Sequence, residues 1–120
     1  VAETRPMYER RRWGEYRVLD SSANPGGAKA LTKELVIAAG KQLSYQRHSH
    51  RSEVWTVVAG EGEVVLDGLV QQVRTGCVVN IEVGHMHAVR AMTSDLHIIE
   101  VQHGDALTDE DIERFGDFWK

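Results

Sequence analysis

The sequence predicts an all-β domain, a sandwich or a barrel. Two observations carry that reading. Short runs rich in Val, Ile, Thr and aromatic residues recur at regular spacing from Ala30 to Val101, and glycine turns punctuate them. The first strand expected is Leu31–Ile37, followed by Gln42–His48. Val54–Ala59 is β-branched and aromatic, as strands prefer. Glu63–Leu66 and Leu69–Val73 flank Asp67-Gly68, the dipeptide of a two-residue hairpin turn. Val78–Ile81, His87–Ala91 and Leu96–Gln102 complete the set. Thr108 can cap a helix, Asp109, Glu110 and Asp111 suit its first turn, and Ile112, Phe115 and Trp119 fall on one helical face. A short C-terminal helix packed on the sheet is therefore expected. The organisation reads as one domain in three parts: an N-terminal segment, 1–28, a barrel, 29–104, and a C-terminal helix, 105–120. Within the first part, Trp13–Leu19 is strand-like and Ser21–Gly27 is a loop by composition.

The bulk numbers narrow the function classes. At 120 residues and 42% apolar content, the chain buries a modest core and is not disordered. A net charge of -4 gives no electrostatic case for nucleic acid, and Arg10, Arg11 and Arg12 read as a solvated or intersubunit cluster. The single Cys77 excludes an internal disulfide and fits a cytoplasmic setting. No apolar run is long enough for a membrane span.

One spaced pattern carries chemistry. Gly40 is followed after five residues by Gln46-Arg47-His48, after four more by Glu53, and after six more by Gly60; Gly76, Gly84 and His87 follow. Side chains alternate along a strand, so Gln46 and His48 share a face, and Glu53 begins the next strand. Histidine and carboxylate ligate divalent first-row metals, and a glutamine oxygen is a weaker neutral donor. The set read as metal ligands is Gln46, His48, Glu53 and His87. His48 and His50 also share a parity, so His50 is the rival for the place of Gln46.

These spacings are the two motifs of the cupin superfamily, which the chain resembles. It departs at Glu82, where proline is usual, and at Ala91, where asparagine is usual. The likeness is closer to type II phosphomannose isomerase domains. Arg12-Trp13-Gly14-Glu15-Tyr16 resembles their opening Arg-Pro-Trp-Gly-x-Tyr, and Leu43–Gly60 their central signature. Ile99–Gly104 and Asp109–Arg114 resemble their closing one, whereas Phe118-Trp119-Lys120 departs from the usual Tyr-Gly-Arg ending. In many relatives such a domain follows a nucleotidyltransferase, a reaction this chain is not expected to carry.

The resemblance implies a double-stranded jelly-roll barrel and interconversion of mannose 6-phosphate and fructose 6-phosphate. A divalent metal, zinc first with Mn, Ni, Co or Fe as alternatives, would stabilise the enediolate formed as a proton moves between C1 and C2. Glu100 and His50 are candidate bases, with His97 behind them, and Arg114 of the closing motif joins the catalytic set. Arg51, Lys41 and Trp13 are candidates for binding the sugar phosphate, with Lys33 as a further cation. A homodimer is expected, the N-terminal segment adding a strand to a neighbour. The rivals are another metal-dependent cupin enzyme, such as a dioxygenase, and a non-catalytic sugar-binding module.

Overall fold

A computed structural model describes residues 7–23 and 29–120. Among the described residues eleven strands are formed: β1 (Tyr8–Arg11), β2 (Gly14–Ala23), β3 (Lys29–Ile37), β4 (Gln46–Arg47), β5 (Arg51–Ala59), β6 (Glu61–Leu66), β7 (Leu69–Arg74), β8 (Val78–Ile81), β9 (His87–Ala91), β10 (Leu96–Gly104) and β11 (Glu113–Arg114). They build two antiparallel sheets, ordered β1-β2-β3-β10-β5-β8 and β11-β4-β9-β6-β7.

Alternation decides what faces inward. In β3 the inward positions are Leu31, Lys33, Leu35 and Ile37; in β10 they are Leu96, Ile98, Glu100 and Gln102; in β5 they are Arg51, Glu53, Trp55 and Val57. The register sorts these side chains into two halves. Ile98 lies opposite Leu35 and Val57, in the apolar half. Glu100 lies opposite Lys33 and Trp55, and Gln102 opposite Leu31 and Glu53. The apolar half, with Ile37, Leu96 and Val64 fully buried, supplies the hydrophobic stabilisation. The other half carries polar groups that such a core tolerates only when they are paired.

The turns follow from residue chemistry. Asp67 and Gly68 both take positive φ, 45° and 84°, as the tight hairpin between β6 and β7 demands. Gly60 has φ 92°, and a Cβ there would stand 2.4 Å from the carbonyl oxygen of Asp95. The glycine that closes the first metal motif thus lets the end of β5 pass close to the start of β10.

The C-terminal helix is not formed; among the described residues there is no helix. Thr108 begins only a single turn, with Asp111 N donating to its carbonyl at 3.3 Å. The chain then runs extended: β11 pairs with β4, Phe115 N donates to Tyr45 O, and Tyr45 N donates to Gly116 O. The exposed edge of β4 offers hydrogen bonds to an added strand, and positive φ at Gly116 (82°) breaks a helical continuation. Phe115 and Phe118 lie against Tyr45, with ring centroids 6.4 and 5.2 Å away. The expected strand Gln42–His48 shrinks to Gln46–Arg47, with one isolated bridge from Gln42 to Arg90.

The N-terminal segment is also more regular than expected. β1 and β2 form a hairpin whose second strand pairs with β3 of the same chain. Ser21, Ser22 and Ala23 end β2, and the rest of the predicted loop lies outside the described residues. No helix among the described residues is long and apolar enough to cross a membrane.

Gly60→Ala should lower stability by at least about 2 kcal/mol, because both the positive φ and the backbone contact resist a Cβ. Comparing denaturant midpoints of the two proteins checks this.

Candidate metal centre

His48, Glu53 and His87 come together in the polar half, their ligating atoms all within 4.8 Å of one another. β4 ends beside His48, β5 carries Glu53 inward, and β9 begins at His87; Gln46 lies opposite His87 in register. Glu53 Oε2 is 3.3 Å from His48 Nε2, and Glu53 Oε1 is 3.6 Å from His87 Nε2. All three residues are buried.

Hydrogen bonds fix the protons of both rings. His48 Nδ1 lies 2.7 Å from the carbonyl of Asp111, and His87 Nδ1 2.9 Å from the carbonyl of His85. A carbonyl only accepts, so each Nδ1 donates its hydrogen and each neutral ring turns a bare Nε2 lone pair to the cluster. Burial, then the charge of Arg51, pushes His48 down to about 4; burial lowers His87 as well. Two lone pairs and a carboxylate therefore converge, and neither ring contributes a hydrogen between them.

Two observations test whether a metal fits. His87 Nε2 is buried without a hydrogen-bond partner, which a purely structural cluster would not leave. The donor set, two imidazoles and a carboxylate, is also one that divalent metals accept. Arg51 meets the other ligands, Nε donating to Glu53 Oε2 at 2.9 Å and Nη2 to His48 Nε2 at 3.2 Å. An imidazole nitrogen has one lone pair, so the Arg51–His48 bond and a metal bond at that nitrogen exclude each other.

Beside the cluster lies a cavity of about 300 Å³. Gln46, Arg51, Glu53, Trp55, Glu100 and Gln102 are on its wall. The Trp55 indole N–H donates to Glu53 Oε1 (3.2 Å) and Glu100 Oε2 (3.0 Å), and Gln102 Nε2 donates to Glu100 Oε1 (2.8 Å). Burial, then the charge of Glu53, raises the Glu100 carboxyl, against the pull of Lys33 and Arg51.

The remaining expected residues divide. Trp13 and Arg114 also line the cavity. The side chain of Gln46 reaches it too, with Nε2 donating to Ser44 O at 2.9 Å. His50 is exposed, is not on the cavity wall, and points toward Asp105 at 4.0 Å. Its backbone N–H and that of Ser49 donate to the carboxylate of Asp111, which turns the loop outward. Lys41 is exposed and likewise off the wall. His97 faces away from the inward row of β10, 3.9 Å from Glu34. Trp55 and Gln102, neither of them an expected site residue, both contact Glu100. Their signal was parity, since Trp55 shares a face with Glu53, and Gln102 with Glu100.

Comparison with known proteins gives three findings. The sequence model of a family described as "Mannose-6-phosphate isomerase C-terminal" matches residues 3–117. The chain is 33% identical over 108 residues to "Mannose-1-phosphate guanylyltransferase" of Escherichia coli, covering 89% of this chain. It is 36% identical over 110 residues to "Alginate biosynthesis protein AlgA" of Pseudomonas putida, covering 91%. It spans 22% of the length of each of these relatives. Among solved structures, the capsular polysaccharide assembling protein CapF of Staphylococcus aureus superposes with TM-score 0.72 at 14% identity, over 94% of this chain and 32% of that one. KdgF of a Halomonas species superposes with TM-score 0.66 at 16% identity, over 91% and 88%. The Cnp3 cupin domain of Schizosaccharomyces pombe gives 0.61 at 12% identity, over 86% and 68%. These structural likenesses establish the cupin fold.

The protein should take up one divalent ion per chain, and His48→Ala or His87→Ala should weaken uptake at least about a hundredfold, measured by competition with a chromophoric chelator. The metal-free protein should lose stability as pH falls from 6.5 to about 4, where the unfolded chain accepts a proton that folded His48 refuses. Denaturation at several pH values should show a shallower loss for His48→Gln.

Proposed function

The chain belongs to the mannose-6-phosphate isomerase C-terminal family, and on that premise we propose that it is a metal-dependent aldose–ketose isomerase interconverting mannose 6-phosphate and fructose 6-phosphate. The observation that carries this reading is Glu100, a buried carboxyl held from two sides on the wall of a cavity that also reaches Glu53 of the metal cluster.

The isomerisation needs a base that removes the proton from C2 of the open-chain sugar and delivers it to C1. As the C2–H bond breaks, its electron pair forms a C1–C2 double bond and the C1–O1 π pair moves onto O1. Reprotonation at C1 and transfer of the hydroxyl proton from O2 to O1 complete the conversion. Glu100 suits that task. Its raised proton affinity brings it toward the working range of a general base at neutral pH. Trp55 and Gln102 fix each of its oxygens, so little reorientation is required as the proton moves. His48, Glu53 and His87 would hold the metal. A divalent ion held there, zinc being the first candidate, would supply positive charge that stabilises the negative charge developing on the sugar. Arg51 tethers Glu53 and, through Nη1 on the Thr108 carbonyl at 3.2 Å, ties the cluster to the C-terminal segment. Trp13 offers an aromatic face at the cavity wall.

Metal-stripped protein should be inactive toward mannose 6-phosphate and regain turnover with a single added divalent metal. Glu100→Gln should reduce turnover by about a thousandfold or more while holding the metal within a few-fold of the parent. Absence of turnover with every metal, despite tight metal binding, would contradict the isomerase reading.

A further inference from the structure

The cavity runs from a buried floor of mixed charge to a cationic mouth. On the floor, Glu53 and Glu100 share one indole N–H. The buried cations beside them are engaged: Arg51 with Glu53, His48 and Thr108, and Lys33 over the Tyr16 ring (4.3 Å) and 4.0 Å from Asp109, itself on the wall. Arg11, Arg12 and Arg114 also line the cavity. They come from opposite ends of the sequence. The β1–β2 hairpin presents the first two, Arg11 at the end of β1 and Arg12 in the turn, anchored by Ala38 N donating to Trp13 O at 2.8 Å; β11 on the second sheet presents the third.

These arginines are available to an anion. Arg12 pairs with Asp117 at 3.2 Å, the side chains 60% and 47% exposed. Arg11 pairs with Glu9 at 3.2 Å, also open to solvent. Exposed pairs of this kind contribute about 0–1 kcal/mol, so an incoming dianion can replace them. Arg114 has no ion-pair partner among the described residues. Guanidinium groups bind phosphate oxygens bidentately, and three of them at one mouth exceed what a single carboxylate counter-ion offers.

We infer that Arg11, Arg12 and Arg114 form a phosphate subsite at the cavity mouth, which orients a phosphorylated sugar with its phosphate outward and its carbonyl end toward Glu53 and Glu100. The rim arginines are open to solvent and only weakly paired, whereas the buried Arg51 and Lys33 are already engaged, so the phosphate is favoured at the mouth. The sugar part of this assignment rests on the isomerase reading; the phosphate part rests on the arginines alone.

The test is calorimetric titration of the zinc-loaded protein with mannose 6-phosphate, mannose and inorganic phosphate, repeated on Arg12→Ala/Arg114→Ala and Arg11→Ala/Arg114→Ala. The inference expects inorganic phosphate to compete with mannose 6-phosphate. It expects mannose 6-phosphate affinity to fall about tenfold to a hundredfold in each double variant. Mannose binding and the thermal midpoint should hold, and Arg114→Lys should restore part of the loss. Unchanged mannose 6-phosphate affinity in both variants, or no phosphate binding by the parent, would overturn it. The two readings fail separately. Arginine-dependent phosphate binding without turnover removes the isomerase and keeps the subsite. Turnover with unchanged affinity in the variants removes the subsite and keeps the isomerase.

Discussion

Two backbone carbonyls, those of Asp111 and His85, take the Nδ1 hydrogens of His48 and His87, and the rest of the site depends on this. With the tautomers fixed, two Nε2 lone pairs and the Glu53 carboxylate converge in a buried pocket. Such a grouping is electrostatically unfavourable until a cation enters it. Arg51 supplies part of that charge, on His48 and Glu53, and leaves His87 Nε2 without a partner. Its bond to His48 must yield before a metal can bind there, so the ligands are held in place by a cation already within the fold.

The fold is arranged around this grouping. One carbonyl belongs to the C-terminal segment, far along the chain from the ligand it orients. The Asp111 side chain holds the same loop: burial would raise its carboxyl, but accepting from the backbone N–H groups of Ser49 and His50 lowers it from its ordinary value. The tail therefore adds a short strand to β4 and also closes the candidate metal centre. The large sheet performs the complementary task. On β3, β5 and β10 its inner rows change from apolar to charged side chains within two residues, at Leu35 and Lys33, Trp55 and Glu53, and Ile98 and Glu100, so the cavity floor is set directly against the core.

Much of this was legible in the sequence. Glycine-bounded β runs announced the sheets, Asp67-Gly68 announced its hairpin, and alternation placed His48 and Glu53 where they can meet. The C-terminal segment was misread because Ile112, Phe115 and Trp119 have helical spacing, and spacing cannot show the open edge of β4 that captures the chain. The exposed position of His50 was not legible, because parity alone cannot show Asp111 holding its loop. That of Lys41 was not, because nearness to the motif in sequence is not nearness to the cavity. The inward positions of Lys33, Trp55 and Gln102 were available in principle, as polar or amphipathic residues in the apolar register of their strands. The meeting of Arg11 and Arg12 with Arg114 was not, since it depends on sheet order.

The most direct test of the central claim is ring nitrogen NMR of the protein labelled at histidine with 15N, recorded at neutral pH without metal and after one equivalent of zinc. The account predicts that His48 and His87 are neutral and protonated at Nδ1 in both states, and that their Nε2 resonances move on zinc addition while those of exposed His50 stay. Protonation at Nε2 in the metal-free protein, or Nε2 resonances indifferent to zinc, would contradict it.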